Sequence, residues 1–124
     1  MIGIEIVEPA ILNARENAAR NGIENAEFIV GATEDVLPRM IKDGMQPDVI
    51  VVDPPRKGCE EAVLQAIIES QPERVVYVSC GAPTLARDAK LLTEGGYKAD
   101  KVQCVDMFCW TGAVETVMCF SLQD

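Results

Sequence analysis

Short apolar runs alternate with stretches of helical periodicity from one end of the chain to the other. Residues 2 to 7, Ile2-Gly3-Ile4-Glu5-Ile6-Val7, read as a buried strand. Pro9 suits the first turn of a helix running to Asn21, and Gly22 closes it. Ile11, Ala14, Ala18 and Ala19 give that helix a modest apolar face. Ala26 to Val30 form a second strand, and Thr33 is placed to cap a helix through Ile41. Asp43-Gly44 then turns the chain into Asp48-Val49-Ile50-Val51-Val52, a third strand that stops at Asp53-Pro54-Pro55. Glu60 to Ser70 is amphipathic, and Arg74 to Ser79 is a strand rich in β-branched residues that ends at Cys80. Pro83 opens a helix to about Glu94, which Gly95-Gly96 ends. Residues 97 to 107 and 113 to 121 read as two strands joined irregularly at Phe108 to Gly112.

This alternation predicts an α/β fold, a parallel sheet with helices on both faces and a closing antiparallel hairpin at one edge. Residues 1–124 contain no repeat, low-complexity segment or linker, so one compact domain is expected. In open sheets of this kind ligands bind at the carboxyl ends of the strands, where Glu5, Asp53 and Cys80 fall.

Charge and composition narrow the chemistry. A formal charge of -9 with no histidine repels polyphosphate, so this segment is not expected to hold nucleic acid by itself, and any such affinity is expected to come from elsewhere. Any general acid or base must be a carboxylate, lysine, tyrosine or cysteine. The five cysteines are odd in number and lack CxxC spacing, so neither a disulfide framework nor a metal site is indicated. No secretory signal follows Met1, and no apolar run approaches the roughly 18 residues of a membrane span, which points to a cytoplasmic protein.

Four residues carry candidate chemistry. Asp53 is held at the sheet mouth by four preceding aliphatics and two stiffening prolines, although a solvated turn would look the same. Cys80 lies between a strand and a helix N-terminus, where N–H groups and the helix dipole favour a thiolate. Cysteines are more often inert core residues, and that reading applies to Cys104 and Cys119 within apolar strand patterns. Glu115, early in the last strand, is either an edge charge or a buried functional group. Glu5, among aliphatic and glycine neighbours, needs a polar partner such as a ribose diol. Arg56, Lys57, Arg87 and Lys90 follow the two strand ends that carry Asp53 and Cys80, as a phosphate-binding cluster or as scattered solvated charges.

Val52-Asp53-Pro54-Pro55-Arg56-Lys57-Gly58, Tyr77-Val78-Ser79-Cys80 and Thr84-Leu85-Ala86-Arg87-Asp88 together resemble the S-adenosylmethionine-dependent RNA 5-methyluridine methyltransferases. Gly3-Ile4-Glu5 resembles that family's second cofactor motif, and Val105-Asp106-Met107-Phe108 with Val114-Glu115 its closing segment. The resemblance implies a Rossmann-like sheet, Glu5 on the cofactor ribose, Asp53 at the cofactor and substrate mouth, Cys80 as nucleophile and Glu115 as base. Uracil carbon 5 is a poor nucleophile, but thiolate addition at carbon 6 turns the ring into an enolate that can take a methyl group. A partly desolvated glutamate is then the sensible base to remove the carbon 5 proton.

The sequence departs from the family pattern at Gly81-Ala82, Ala113, Cys109 and Ala32. The family's opening strand and glycine loop, which hold the methionine part of the cofactor, have no counterpart before Gly3. The resemblance therefore implies a partial methyltransferase domain that binds S-adenosylmethionine weakly alone and whose sheet closes its gap or completes itself through another copy. It points to ribosomal RNA ahead of transfer RNA. The rival readings are a methyltransferase of an exocyclic amine or small molecule, which Arg56 in place of a stacking aromatic disfavours, and a noncatalytic assembly module.

Overall fold

The computed structural model describes residues 1–123. The elements follow the predicted order: β1 (Ile2–Glu5), α1 (Glu8–Arg20), β2 (Glu27–Val30), α2 (Thr33–Lys42), β3 (Val49–Val52), α3 (Glu61–Ser70), β4 (Arg74–Ser79), α4 (Ala82–Glu94), β5 (Tyr97–Val105) and β6 (Glu115–Leu122). Most boundaries fall within two residues of the sequence reading, and where they differ a local hydrogen bond is the reason. The first strand stops at Glu5 because the Val7 N–H donates to Glu5 Oε1 at 2.8 Å, which turns the chain and makes Val7 the N-cap of α1. Residue 113 is outside β6 because Thr111 Oγ1 donates to the Phe108 carbonyl and accepts from the Ala113 N–H. Thr33 is the first residue of α2 and not its cap, since Ala32 takes the extended boundary position.

Helix α3 ends at Gln71 in the left-handed region (φ 48°), and Pro72 follows, which cannot continue a helix. Gly81 caps α4, with Pro83 in its first turn.

The strands form two sheets. β1 and β2 pair in parallel, and a second sheet runs β3-β4-β6-β5, parallel between β3 and β4 and antiparallel elsewhere. The expected antiparallel hairpin is present with β5 at the edge. The sheet does not close between β1 and β3: neither has a second strand partner, and their facing edges border an open cleft.

The core lies where α2, α3 and α4 meet the second sheet. Leu37, Val63, Leu64, Ile67, Leu85 and Leu92 pack with Val75, Tyr77, Tyr97 and Phe120 in one cluster. Alternate residues of β4, Val75, Tyr77 and Ser79, are buried, as the period of two requires, and Ile50 and Val52 of β3 lean on the same cluster. Val49 and Val51 point the other way and are exposed, Val51 at 65%. β1 joins the core only through Ile4.

Phe120→Ala, at a fully buried position, is expected to lower the unfolding free energy by about 3–5 kcal/mol. Val51→Ala is expected to change it by no more than about 0.5 kcal/mol. Urea denaturation of both variants checks the placement, and similar losses would show that the core has been assigned to the wrong face.

Candidate active site and cofactor cleft

The sequence-derived candidates fall into two groups. Glu5, at the end of β1, and Asp53, directly after β3, line the same cleft of about 660 Å³ between the unpaired strand edges. Its walls include Ile2, Ile4, Val49, Val51, Ala32 and Pro54. Glu5 is exposed at the cleft, contrary to the buried setting its aliphatic neighbours suggested, because the strand ends there and its carboxylate turns to the Val7 N–H.

Cys80 and Glu115 form the second group, outside the residues that line the cleft. Cys80 follows β4 directly and precedes Gly81, the cap of α4. The antiparallel register pairs Val78 with Val117 and Ser79 with Thr116. The ladder ends at that last pair, so Cys80 and Glu115 are the next residues on the two chains at that end of the sheet, Cys80 in a bend just past β4 and Glu115 at the start of β6. Both are half-buried. Ser79 shapes the exit, as its hydroxyl accepts the Gly81 N–H at 3.0 Å.

The other thiols sort by environment. Cys104 is exposed, not a core residue, because β5 is an edge strand, and Cys119 is half-buried; no disulfide joins the five. Burial pushes the Cys59 thiol up to about 11.

The basic cluster is largely spent within the chain. Lys57 pairs with Glu60, Arg87 with Asp88 at 2.7 Å and Lys90 with Glu94 at 3.7 Å. The Lys57–Glu60 bond raises the ammonium above its ordinary value and lowers the carboxyl below its own. Arg56 alone of the four has no ion pair among the described residues.

One group escaped the sequence reading. Asp88 is fully buried and accepts hydrogen bonds from the Tyr77 hydroxyl at 2.6 Å, the Cys59 N–H at 2.8 Å and Arg87 Nε at 2.7 Å. Burial, and then its bond to Asp88, raises the Tyr77 phenol far above its ordinary range. The signal was available: Leu85, Asp88 and Leu92 share the buried stripe of α4, so a carboxylate stands at a position whose spacing calls for an aliphatic.

The chain is similar to known RNA methyltransferases. A sequence model of the tRNA (uracil-5-)-methyltransferase family matches residues 1–122. An uncharacterized RNA methyltransferase of Bacillus cereus is 57% identical over 119 residues, which are 96% of this chain and 26% of the relative. One from Clostridium acetobutylicum is 54% identical over 116 residues, 94% of this chain and 25% of the relative. The chain thus spans about a quarter of the length of these relatives. Among solved structures, the tRNA (uracil-54, C5)-methyltransferase of Pyrococcus abyssi in complex with S-adenosyl-L-homocysteine superposes with a TM-score of 0.82 at 34% identity, covering 96% of this chain and 28% of that one. A precorrin-6y C5,15-methyltransferase from Geobacter metallireducens, at 16% identity and a TM-score of 0.76, shares the fold alone.

Alkylation with iodoacetamide at pH 8 is expected to label Cys104, Cys109 and Cys80 well before Cys59. A thiol raised to about 11 holds about a hundredfold less thiolate at that pH than one at its ordinary 9.0. Peptide mass mapping against time measures the order, and Cys59 reacting as fast as Cys80 would contradict it. With its motifs, its Rossmann-like sheet and a sequence match from residue 1 to 122, the chain belongs to the tRNA (uracil-5-)-methyltransferase family of RNA methyltransferases.

Proposed function

We propose that the chain is the C-terminal part of the catalytic domain of an RNA uridine C5 methyltransferase, with Cys80 as nucleophile and Glu115 as base. The observation that supports this reading is the β4–β6 register, whose last pair, Ser79 with Thr116, is flanked by the half-buried Cys80 and Glu115. In this reading the Cys80 thiolate adds to carbon 6 of uracil, and the ring's electron pair becomes available at carbon 5. Once carbon 5 carries the methyl group, Glu115 takes its proton, the ring double bond re-forms and the sulfur leaves as thiolate.

S-adenosylmethionine, when bound, supplies the electrophilic methyl. The cleft suits it in part. Glu5 at the end of β1 is positioned for a ribose diol and Asp53 sits at the mouth toward β4, while Ala32 offers no polar side chain to an adenine. The resemblance of the motifs favours ribosomal RNA, whereas the matched family model and the Pyrococcus abyssi neighbour are named for transfer RNA, so both RNAs belong in the test. The negative charge of the segment and its internally paired basic residues support RNA binding through the rest of a longer polypeptide. A cytoplasmic location accords with five unpaired cysteines and with no helix among the described residues long and apolar enough to cross a membrane.

A trapping assay tests the chemistry. The chain joined to the preceding part of a family member, given cofactor and 5-fluorouridine-substituted ribosomal or transfer RNA, is expected to form a covalent adduct, because fluorine at carbon 5 blocks proton removal. Cys80→Ala abolishes the adduct, whereas Glu115→Gln still forms it but slows turnover on ordinary RNA by about 10²–10⁴-fold. An adduct that survives Cys80→Ala identifies a different nucleophile. No adduct with either RNA favours the noncatalytic or other-substrate readings.

A second test concerns the cleft. The chain alone is expected to bind S-adenosylmethionine with a Kd no tighter than about 1 mM by calorimetry, and the joined form to gain at least about 4 kcal/mol, three decades of affinity. If a second copy completes the sheet, sedimentation shows a dimer that Val51→Lys dissociates. Micromolar cofactor binding by the chain alone would refute the partial-site reading.

A further inference from the structure

The buried carboxylate of Asp88 has no part in the chemistry above, yet all of its partners lie where the two strand-end loops meet. Its Oδ2 accepts from the Cys59 N–H and the Tyr77 hydroxyl, and Oδ1 from Arg87 Nε. The adjacent Arg87 guanidinium reaches over to donate to the carbonyls of Lys57 at 3.1 Å and Cys59 at 3.2 Å. Thr84, one turn earlier on the same helix, donates from Oγ1 to the Arg56 carbonyl at 2.9 Å and also to the Gly81 carbonyl at 2.9 Å. The loop after β3, which carries Asp53 to Cys59, is therefore stapled at Arg56, Lys57 and Cys59 to the helix that begins just after Cys80.

The fit leaves no slack. Gly58 adopts φ +82° to close its turn, and a Cβ there would come within 2.6 Å of both Asp88 Oδ2 and Arg87 Nη2. A Cβ on Gly81 would press on the Arg56 carbonyl oxygen at 3.3 Å. Tyr77 fixes the far end, since it is wholly buried on β4, three residues before the nucleophile. Helix α4, strand β4 and the Pro54–Cys59 loop thus move as one body, and Asp88 is the atom group common to all three.

We propose that Asp88 is a positioning residue that holds the Asp53–Arg56 edge at a fixed separation from the Cys80 sulfur. It touches neither substrate nor cofactor and acts through the Cys59 N–H, Tyr77 and Arg87. Its catalytic consequence rests on the reading of Cys80 as the nucleophile toward uracil, but the mechanical one does not. A buried carboxylate with three donors is a costly way to fill a helix stripe, and here the cost is offset by order in a loop that would otherwise be free.

Asp88→Asn keeps the size and replaces one accepting oxygen with a donor that must face Arg87 Nε or the Tyr77 and Cys59 donors. In this variant of the chain, exchange of the Cys59 amide hydrogen is expected to quicken at least about tenfold, while β4 and β6 amides stay within about twofold. Arg87→Lys keeps the charge at a half-exposed position but loses the fork to the two loop carbonyls, and it supplies the same readout if Asp88→Asn fails to fold. Unchanged exchange at Cys59 in the folded variants overturns the proposal. In the joined enzyme, Asp88→Asn is expected to slow adduct formation with 5-fluorouridine RNA about 10-fold to 10²-fold while the KM for cofactor moves less than about threefold. An adduct rate equal to that of the unsubstituted enzyme overturns the positioning role and leaves the nucleophile standing. No adduct even with Asp88 in place removes Cys80 as nucleophile, and the exchange measurement then still decides whether Asp88 holds the loop.

Discussion

β4 is the strand from which the rest of the molecule takes its bearings. It is hydrogen-bonded on both edges, to β3 in parallel and to β6 in antiparallel, and one of its faces is wholly buried. A strand with both edges paired cannot shift by a residue without breaking two ladders and turning its core face to solvent. That restriction is transmitted to the chemistry. Because Ser79 lies across from Thr116, the backbone pairing alone decides which residues, Cys80 and Glu115, flank the last pair of the ladder.

The same strand separates two electrostatic environments. On its buried side, Tyr77 reaches into α4 and meets a carboxylate, and no buried side-chain nitrogen or oxygen among the described residues lacks a partner. At its end, Cys80 and Glu115 are half-buried. Basic residues near the site serve mainly to neutralise the chain's own acids. Lys57 with Glu60 and Arg87 with Asp88 hold loops together, and only Arg56 keeps an unmatched charge at the rim. With a formal charge of -9 and one unpaired guanidinium among the four basic residues near the site, this segment is by itself a poor anchor for a polyanion.

Much of this was legible in the sequence because the strongest local signals agreed with the fold. Four aliphatics ending in Asp53-Pro54-Pro55 can scarcely be anything but a strand and its exit, and Pro83 and Gly95 bracket α4 with the expected asymmetry. The misjudged details all involve competition within a few residues. Glu5 captured a nearby N–H and ended its strand early, and Thr111 claimed the backbone that would have extended β6. Exposure of Cys104 followed from its place on an edge strand, which periodicity cannot reveal. The Asp88 knot was missed for a different reason. Its partners come from positions 59, 77 and 87, and only the tertiary fold shows that a carboxylate on an apolar stripe has three donors waiting.

The two halves of the site differ in how complete they are, and the difference has a physical origin. Around Cys80, β4 and β6 are each paired on both edges and the Asp88 contacts tie the neighbouring loop to α4. Around Glu5 and Asp53, two parallel strands face each other across a cleft with their inner edges unpaired and with Val49 and Val51 exposed beside them. Unpaired edges and exposed aliphatics both raise the free energy of the open state, and a polypeptide strand inserted there would relieve both together. Such a strand would also add its own carboxyl end to the rim between Glu5 and Asp53, where a cofactor needs donors that neither side chain can supply. Completing the sheet and completing the cofactor site are on this view one event, while the strands beside the thiol are already paired.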